Sequence, residues 1–159
     1  MLIGDLDGLR VVYDRQGRPI LEEGESFEAE WTATILALYE GKRAKGQPLL
    51  HHDQGEVGCT MTNRRLIVLI DPSLEKARRV LQLPGDESYT KGMELFEVIQ
   101  GHGRYYLVLE WSEIPNIKVP SEKKETSTFA VIPTEGAIHT LLVDRETCAW
   151  TERVWRMYL

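Results

Sequence analysis

Val57-Gly58-Cys59-Thr60-Met61-Thr62-Asn63-Arg64-Arg65-Leu66-Ile67-Val68-Leu69-Ile70 decides how this chain folds, because it reads as two strands folded about a polar break. Val57, Cys59 and Met61 alternate with Gly58, Thr60 and Thr62, the period of a half-buried strand. Leu66 to Ile70 is a short apolar run ended by Asp71-Pro72. Asn63 tolerates a left-handed backbone and suits the turn between the two halves. The stretch therefore predicts a central hairpin.

Working outward, the residues before the hairpin also read as extended. Phe27, Ala29, Trp31, Ala33 and Ile35 alternate with Glu28, Glu30, Thr32 and Thr34, so a strand here turns its glutamates away from the apolar face. The crowd of Glu22, Glu23, Glu25, Glu28 and Glu30 is accordingly a loop followed by a solvent face, not a metal-binding carboxylate cluster. Further back, Leu9 to Tyr13 is strand-like, Asp14-Arg15-Gln16-Gly17 is a turn and Pro19-Ile20-Leu21 resumes an extended chain. Residues 1–26 thus predict an N-terminal arm or hairpin that covers a sheet edge or forms an interface.

After the hairpin, Ser73 to Leu83 has Leu74, Ala77, Val80 and Leu81 at helical spacing, with Ser73 as cap and Pro84-Gly85 as stop. Met93 to Ile99 is apolar but too short for its period to decide between helix and strand. Gly101-His102-Gly103 opens a strand with Tyr105, Leu107, Leu109 and Trp111 on one face and Tyr106, Val108 and Glu110 on the other. Ile114, Ile117 and Val119 are expected to continue the sheet beyond a bend at Pro115-Asn116. Ser121 to Thr126, with Lys123 and Lys124, is a polar loop, and Thr128 to Ile132 and Ile138 to Val143 are closing strands. The chain ends in a helix capped by Asp144. At about 100° per residue, Met157, Trp150, Val154, Tyr158, Trp155 and Cys148 fall on one half and Arg145, Glu146, Glu152, Arg153 and Arg156 on the other. Both tryptophans are expected to plug the open end of the sheet assembly.

The run from Gly55 to Val68, with Thr62-Asn63-Arg64-Arg65-Leu66-Ile67 at its centre, resembles the glycine, strand, Thr-Asn-basic-Arg-Leu-Ile, strand signature of pleckstrin-homology (PH)-like domains of the GRAM type. Over about residues 27–159, the order of strands and the closing helix are similar too. The resemblance implies a mainly β fold, a bent antiparallel sheet pair (split barrel) of about seven strands capped by the C-terminal helix. Residues 71–103 then stand as an insertion with a helical segment, and residues 1–159 as one PH/GRAM-like domain. It also implies that the basic loop Gly41-Lys42-Arg43-Ala44-Lys45-Gly46 occupies the place where such domains meet phosphoinositide headgroups, through Lys42, Arg43 and Lys45. Gly55, Glu56, Val57 and Gly58 supply none of the further basic residues expected on the next strand.

Composition bounds the function. A chain of 159 residues, 42% hydrophobic and 28% charged, is long enough to bury roughly two-thirds of its unfolded surface without disulfide or metal staples. No apolar run reaches the length of about 18 residues that spans a membrane, and the start lacks the regions of a signal peptide, which leads to an expectation of a soluble cytoplasmic protein. Cys59 and Cys148 stand in unlike contexts and are expected as reduced, buried thiols. The net charge of −6 disfavours nucleic acid and anionic membranes as partners.

No nucleophile elbow, phosphate-binding glycine loop or Cys-x-x-Cys pair occurs. His51-His52-Asp53 offers metal-ligand chemistry, but adjacent residues seldom reach one ion together and the helical His-Glu-x-x-His spacing is absent. No metal or cofactor is expected. The leading expectation is a non-catalytic interaction module that docks a protein partner or itself, with Met93, Phe96 and Ile99 as partner contacts. A peripheral anionic-lipid binder using Lys42, Arg43 and Lys45 comes second, and a small metal-dependent hydrolase using His51, His52 and Asp53 third.

Overall fold

A computed structural model describes residues 1–4, 6–14, 16, 18–51, 57–69 and 105–159. In chain order these form β1 (Leu2–Gly4), α1 (Leu6–Val12), β2 (Phe27–Ala33), β3 (Leu36–Glu40), β4 (Leu50–His51), β5 (Val57–Thr62) and β6 (Arg65–Leu69). There follow β7 (Tyr106–Glu110), a 3-10 turn at Trp111–Glu113, β8 (Thr126–Val131), β9 (His139–Asp144) and α2 (Arg145–Met157). The predicted insertion at 71–103, its helix and its Met93, Phe96 and Ile99 lie outside the described residues.

The strands make two antiparallel sheets, of order β1-β7-β6-β5-β2 and β4-β3-β9-β8. The predicted hairpin is β5 with β6, where Cys59 stands opposite Val68 and Met61 opposite Leu66. β2 and β3 are one extended run broken at Thr34 and Ile35, its first half paired with β5 and its second with β9. The run passes from one sheet to the other, so the pair is bent and joined along one side. No strand pairing among the described residues closes it into a barrel. The fold is thus mainly β with one C-terminal helix, as expected from the PH-like resemblance, and the described residues hold nine strands where about seven were expected.

The inner faces of both sheets meet in one apolar core. Leu36, Leu38, Leu50, Met61, Leu66, Leu107 and Leu141 are each 2% exposed or less, and Cys148, Val154 and Trp155 of α2 join them. Apolar area removed from water, at about 25 cal/mol per Å², is the main force holding the layers. Buried indoles also satisfy their polar atoms: Trp111 Nε1 donates to the Thr62 carbonyl at 2.9 Å and Trp155 Nε1 to the Ile114 carbonyl at 3.0 Å.

Asp144 joins β9 to α2 as predicted, and does more than cap. Its carboxylate accepts from the Thr147 amide at 2.8 Å and the Thr147 hydroxyl at 2.7 Å, and from the amides of Thr34 at 3.0 Å and Ile35 at 3.3 Å. Burial alone would raise this carboxyl, but those donors outweigh it and hold its pKa below the ordinary value. The break between β2 and β3 is thereby fixed to the start of the helix.

Three expectations are corrected. Residues 9–13 belong mostly to a helix, not a strand: Leu9, Val12 and Tyr13 sit at helical spacing and pack with Ile67, Tyr105, Tyr106 and Val108 in a second core on the outer face of the five-stranded sheet. Tyr106 is seated so closely there that a Cβ at Gly4 or Gly8 would collide with its ring. Of the turn expected at Asp14 to Gly17, positions 15 and 17 lie outside the described residues; Asp14 Oδ1 accepts from the amides of Gln16 and Arg18. Second, Ile114, Ile117 and Val119 do not continue the sheet. Ile114 and Ile117 are buried, but Pro115 and Pro120 lack the N–H groups that a ladder needs, and the segment runs irregularly. Third, Trp150, Met157 and Tyr158 do not join the core, with exposures of 43%, 59% and 37%.

A bidentate ion pair ties the arm to the hairpin turn. Arg65 Nε and Nη2 reach the two Glu25 carboxylate oxygens at 2.7 and 2.9 Å, and the Thr62 hydroxyl donates to Glu25 at 2.6 Å. Asn63 adds a second tie, accepting from the Ser26 amide and donating to the Gly24 carbonyl.

Candidate functional site: an aromatic strip and an outer cleft

The exposed residues of α2 follow from which face the helix buries. Thr147, Cys148, Thr151, Val154 and Trp155 point inward, and the two threonines are tolerated there because Thr151 donates to the Thr147 carbonyl and Thr147 to Asp144. Trp150 and Met157 are seven residues apart on the flank of that face and remain in water. Trp150 rests against Trp31 of β2, with ring centroids 5.8 Å apart, and the Arg153 guanidinium lies over the Trp150 ring at 5.4 Å. Trp31 is held from below by its Nε1, which donates to Thr147 at 3.2 Å. The Tyr158 hydroxyl donates to Glu28, which raises the phenol pKa, so the end of α2 is tied to the start of β2. Together Trp31, Trp150, Arg153, Met157 and Tyr158 form an amphipathic strip along the seam between β2 and α2.

The outer face of the five-stranded sheet holds the second feature. Register places Glu30 beside Thr60, and Thr32 and Leu69 on either side of Gly58, so these five share that face. The arm covers the β6 and β7 half of it and leaves the β5 and β2 half open as a cleft of about 580 Å³. Tyr13, Arg18 and Pro19 wall it on the arm side. A β-bulge between Phe27 and Ala29 puts Phe27 opposite Thr62, and its half-exposed ring closes the other end. Burial, then the Cys59 and Glu30 charges, raise the Tyr13 phenol well above its ordinary pKa.

The basic loop lies between β3 and β4. Lys42, Arg43 and Lys45 are exposed, and Gly41 and Gly46 bracket them with φ of +93° and +84°, a backbone that favours glycine. The Gly41 amide donates to the Ile138 carbonyl, so the loop sits at the His139 end of β9. Lys123 and Lys124 lie at the Asp144 end, since Thr126 pairs with Asp144. A strand of this length spans about 20 Å, so the two basic groups do not converge on one headgroup.

His51 ends β4 and is exposed, whereas His52 and Asp53 lie outside the described residues. Among the described residues no group of three His, Cys, Asp or Glu side chains is placed to hold a metal ion. Burial pushes the Cys59 thiol up to about 12 and raises Cys148 as well, so neither is an activated nucleophile. Both are free and buried, as expected.

The structure is similar to the Vps36 N-terminal PH domain, with a TM-score of 0.47 and 18% identity over 91% of this chain and 90% of that chain. No protein-family model matches the chain, and no curated protein matches it.

The strip and the cleft were both missed in the sequence. The wheel places Trp150 on the apolar half, whereas the face that packs inward is made by Thr147, Cys148, Thr151, Val154 and Trp155. The cleft depends on how far the arm reaches across the sheet, which no local pattern records. No helix among the described residues is long and apolar enough to cross a membrane.

Proposed function

We propose that this chain is a non-catalytic, PH-like interaction module that docks a protein partner against the seam between β2 and α2. The observation that carries the proposal is the exposure of Trp150 beside Trp31, flanked by Arg153, Met157 and Tyr158. Aromatic residues, Met and Arg are the types enriched at protein interfaces, and Trp, Tyr and Arg dominate their binding energy. The indoles are already held by Thr147 and by each other, so little side-chain freedom is lost on binding. A second copy would bring another −6 of charge, which favours a different partner, one with an apolar patch edged by basic residues.

Anionic lipid is the lesser reading, because Lys42, Arg43 and Lys45 act without support from Lys123 and Lys124. Hydrolysis at His51, His52 and Asp53 draws no support from the described residues. The GRAM assignment rests on the hairpin motif alone. Two free thiols suit the reducing cytoplasm.

The test is a photo-reactive benzoylphenylalanine placed at position 150 in the native host, with position 124 as control. A discrete adduct from 150 only, whose partner then binds the purified chain and loses at least about tenfold in affinity on Trp150→Ala, supports the reading. An adduct of twice the chain's mass would mean self-association. Equal adducts from both positions, or an affinity indifferent to Trp150→Ala, would overturn the assignment.

A further inference from the structure

Two hydroxyl groups in the outer cleft have no partner among the described residues. Tyr13 is 6% exposed and Thr60 9%, both line the cleft, and neither side chain has a hydrogen-bond partner among the described residues. Buried hydroxyls of this kind are uncommon and call for an explanation. The Glu30 carboxylate and the Thr32 hydroxyl line the same space, and no ion pair engages Glu30 among the described residues. Every one of these four groups can accept a hydrogen bond. Among the described residues the one cation in the lining, Arg18, is exposed on the arm, where water screens it.

The floor is bare as well. Gly58 is the second residue of β5, paired with Thr32 on one side and Leu69 on the other, where glycine weakens a strand, yet a Cβ built there would meet nothing within 4 Å. Packing therefore does not require the glycine. In strand interiors such a residue often marks a place where another group comes close to the backbone.

We propose that the cleft receives an arginine side chain of the docked partner, its guanidinium among Glu30, Thr60, Thr32 and Tyr13 and its stem along Phe27. A guanidinium offers five donors and no acceptor, the complement of four acceptors, and its plane stacks on aromatic rings. The charge sign agrees with the net −6 of the chain. The proposal deepens the protein-docking function and rests on it, but its test reads the cleft alone.

The test is an amide-resolved NMR titration of the full chain with the blocked tripeptide acetyl-Ala-Arg-Ala-amide, with norleucine and glutamate tripeptides as comparisons. The expected result is saturable shifts at Tyr13, Gly58 and Thr60 with a Kd of about 1 to 10 mM, as befits one isolated side chain. The norleucine peptide should bind at least fivefold more weakly and the glutamate peptide not at all. Glu30→Gln should weaken the arginine peptide at least fivefold. Gly58→Val should abolish its binding while the melting temperature stays or rises, since valine suits a strand. No saturable shift at about 20 mM arginine peptide would overturn the proposal. So would tighter binding of the glutamate peptide, which would make the cleft an anion site for Arg18, or unchanged binding by Gly58→Val. None of these failures touches the adduct expected at position 150, so the two claims fall separately.

Discussion

The rings of Trp31 and Trp150 meet at a tilt, 5.8 Å between centroids and 31° between planes, although one belongs to an early strand and the other to the C-terminal helix. Trp150 is 43% exposed, and Trp31 is partly buried at the edge of the core that buries Trp111 at 3% exposure and Trp155 at 4%. The four tryptophans of the chain therefore divide into two that hold the fold and two that the fold presents.

That division predicts opposite outcomes on truncation. Trp155→Ala removes a buried indole and its bond to Ile114 and should cost about 3 to 5 kcal/mol. Trp150→Ala gives up a half-exposed ring contact and should cost about 1 kcal/mol or less. Urea unfolding of the two variants checks the difference, and equal losses would place Trp150 in the core after all.

Asp144 predicts a pH dependence. Its folded pKa lies below the ordinary carboxyl value, so its contribution is present above about pH 4, the unfolded value, and is lost as pH falls through that value toward the folded one. Glu25 is shifted in the same direction: burial opposes the shift, and the bonds from Arg65 and Thr62 outweigh it. Asp144→Asn should flatten the loss of stability between about pH 5 and pH 3, read as urea midpoints. At pH 7, Asp144→Ala should cost about 1 to 2 kcal/mol as a lost cap, with the amides of Thr34 and Ile35 also left unmet.

The pair of Glu25 and Arg65 should behave as a coupled unit. The Glu25 side chain is fully buried and that of Arg65 14% exposed. Arg65→Leu strands a buried carboxylate and should cost about 3 kcal/mol, whereas the double change Glu25→Leu with Arg65→Leu should cost less than the sum of the two single changes. A double-mutant cycle with additive losses would show that the arm is not held through this pair.

For the basic loop, the arithmetic predicts weak lipid contact. Lys42, Arg43 and Lys45 at about 1 kcal/mol each give about 3 kcal/mol, less the repulsion of the acidic molecule, too little for stable anchoring. Liposome co-sedimentation at physiological salt should show little or no bound chain. Tight, salt-resistant binding that is lost when all three become alanine would reverse the ranking of protein and lipid partners.

How much of this was legible in the sequence varied with the physics of each element. The β5 and β6 hairpin was readable because its alternation is regular and Asn63 and Arg64 interrupt it with polar residues. The Asp144 cap and the inward Trp155 followed from residue type and helical period. The helix at 6–12 was misread because it has barely two turns, and Leu9, Val12 and Tyr13 find their partners far along the chain, in Ile67 and Val108. Ile114 and Ile117 looked like a strand because burial without a ladder has no sequence signature beyond the flanking prolines. The strip and cleft arise from register and from the arm's path, which are long-range properties.

The central claim is that Trp31 and Trp150 are presented to a protein partner while Trp111 and Trp155 are not. The most direct measurement is fluorine NMR of the full chain carrying 5-fluorotryptophan, titrated with the partner recovered through the position-150 adduct. The account predicts that the Trp31 and Trp150 resonances shift or broaden together while those of Trp111 and Trp155 stay in place. Binding that leaves Trp31 and Trp150 unmoved, or that moves Trp111 and Trp155 instead, would contradict it.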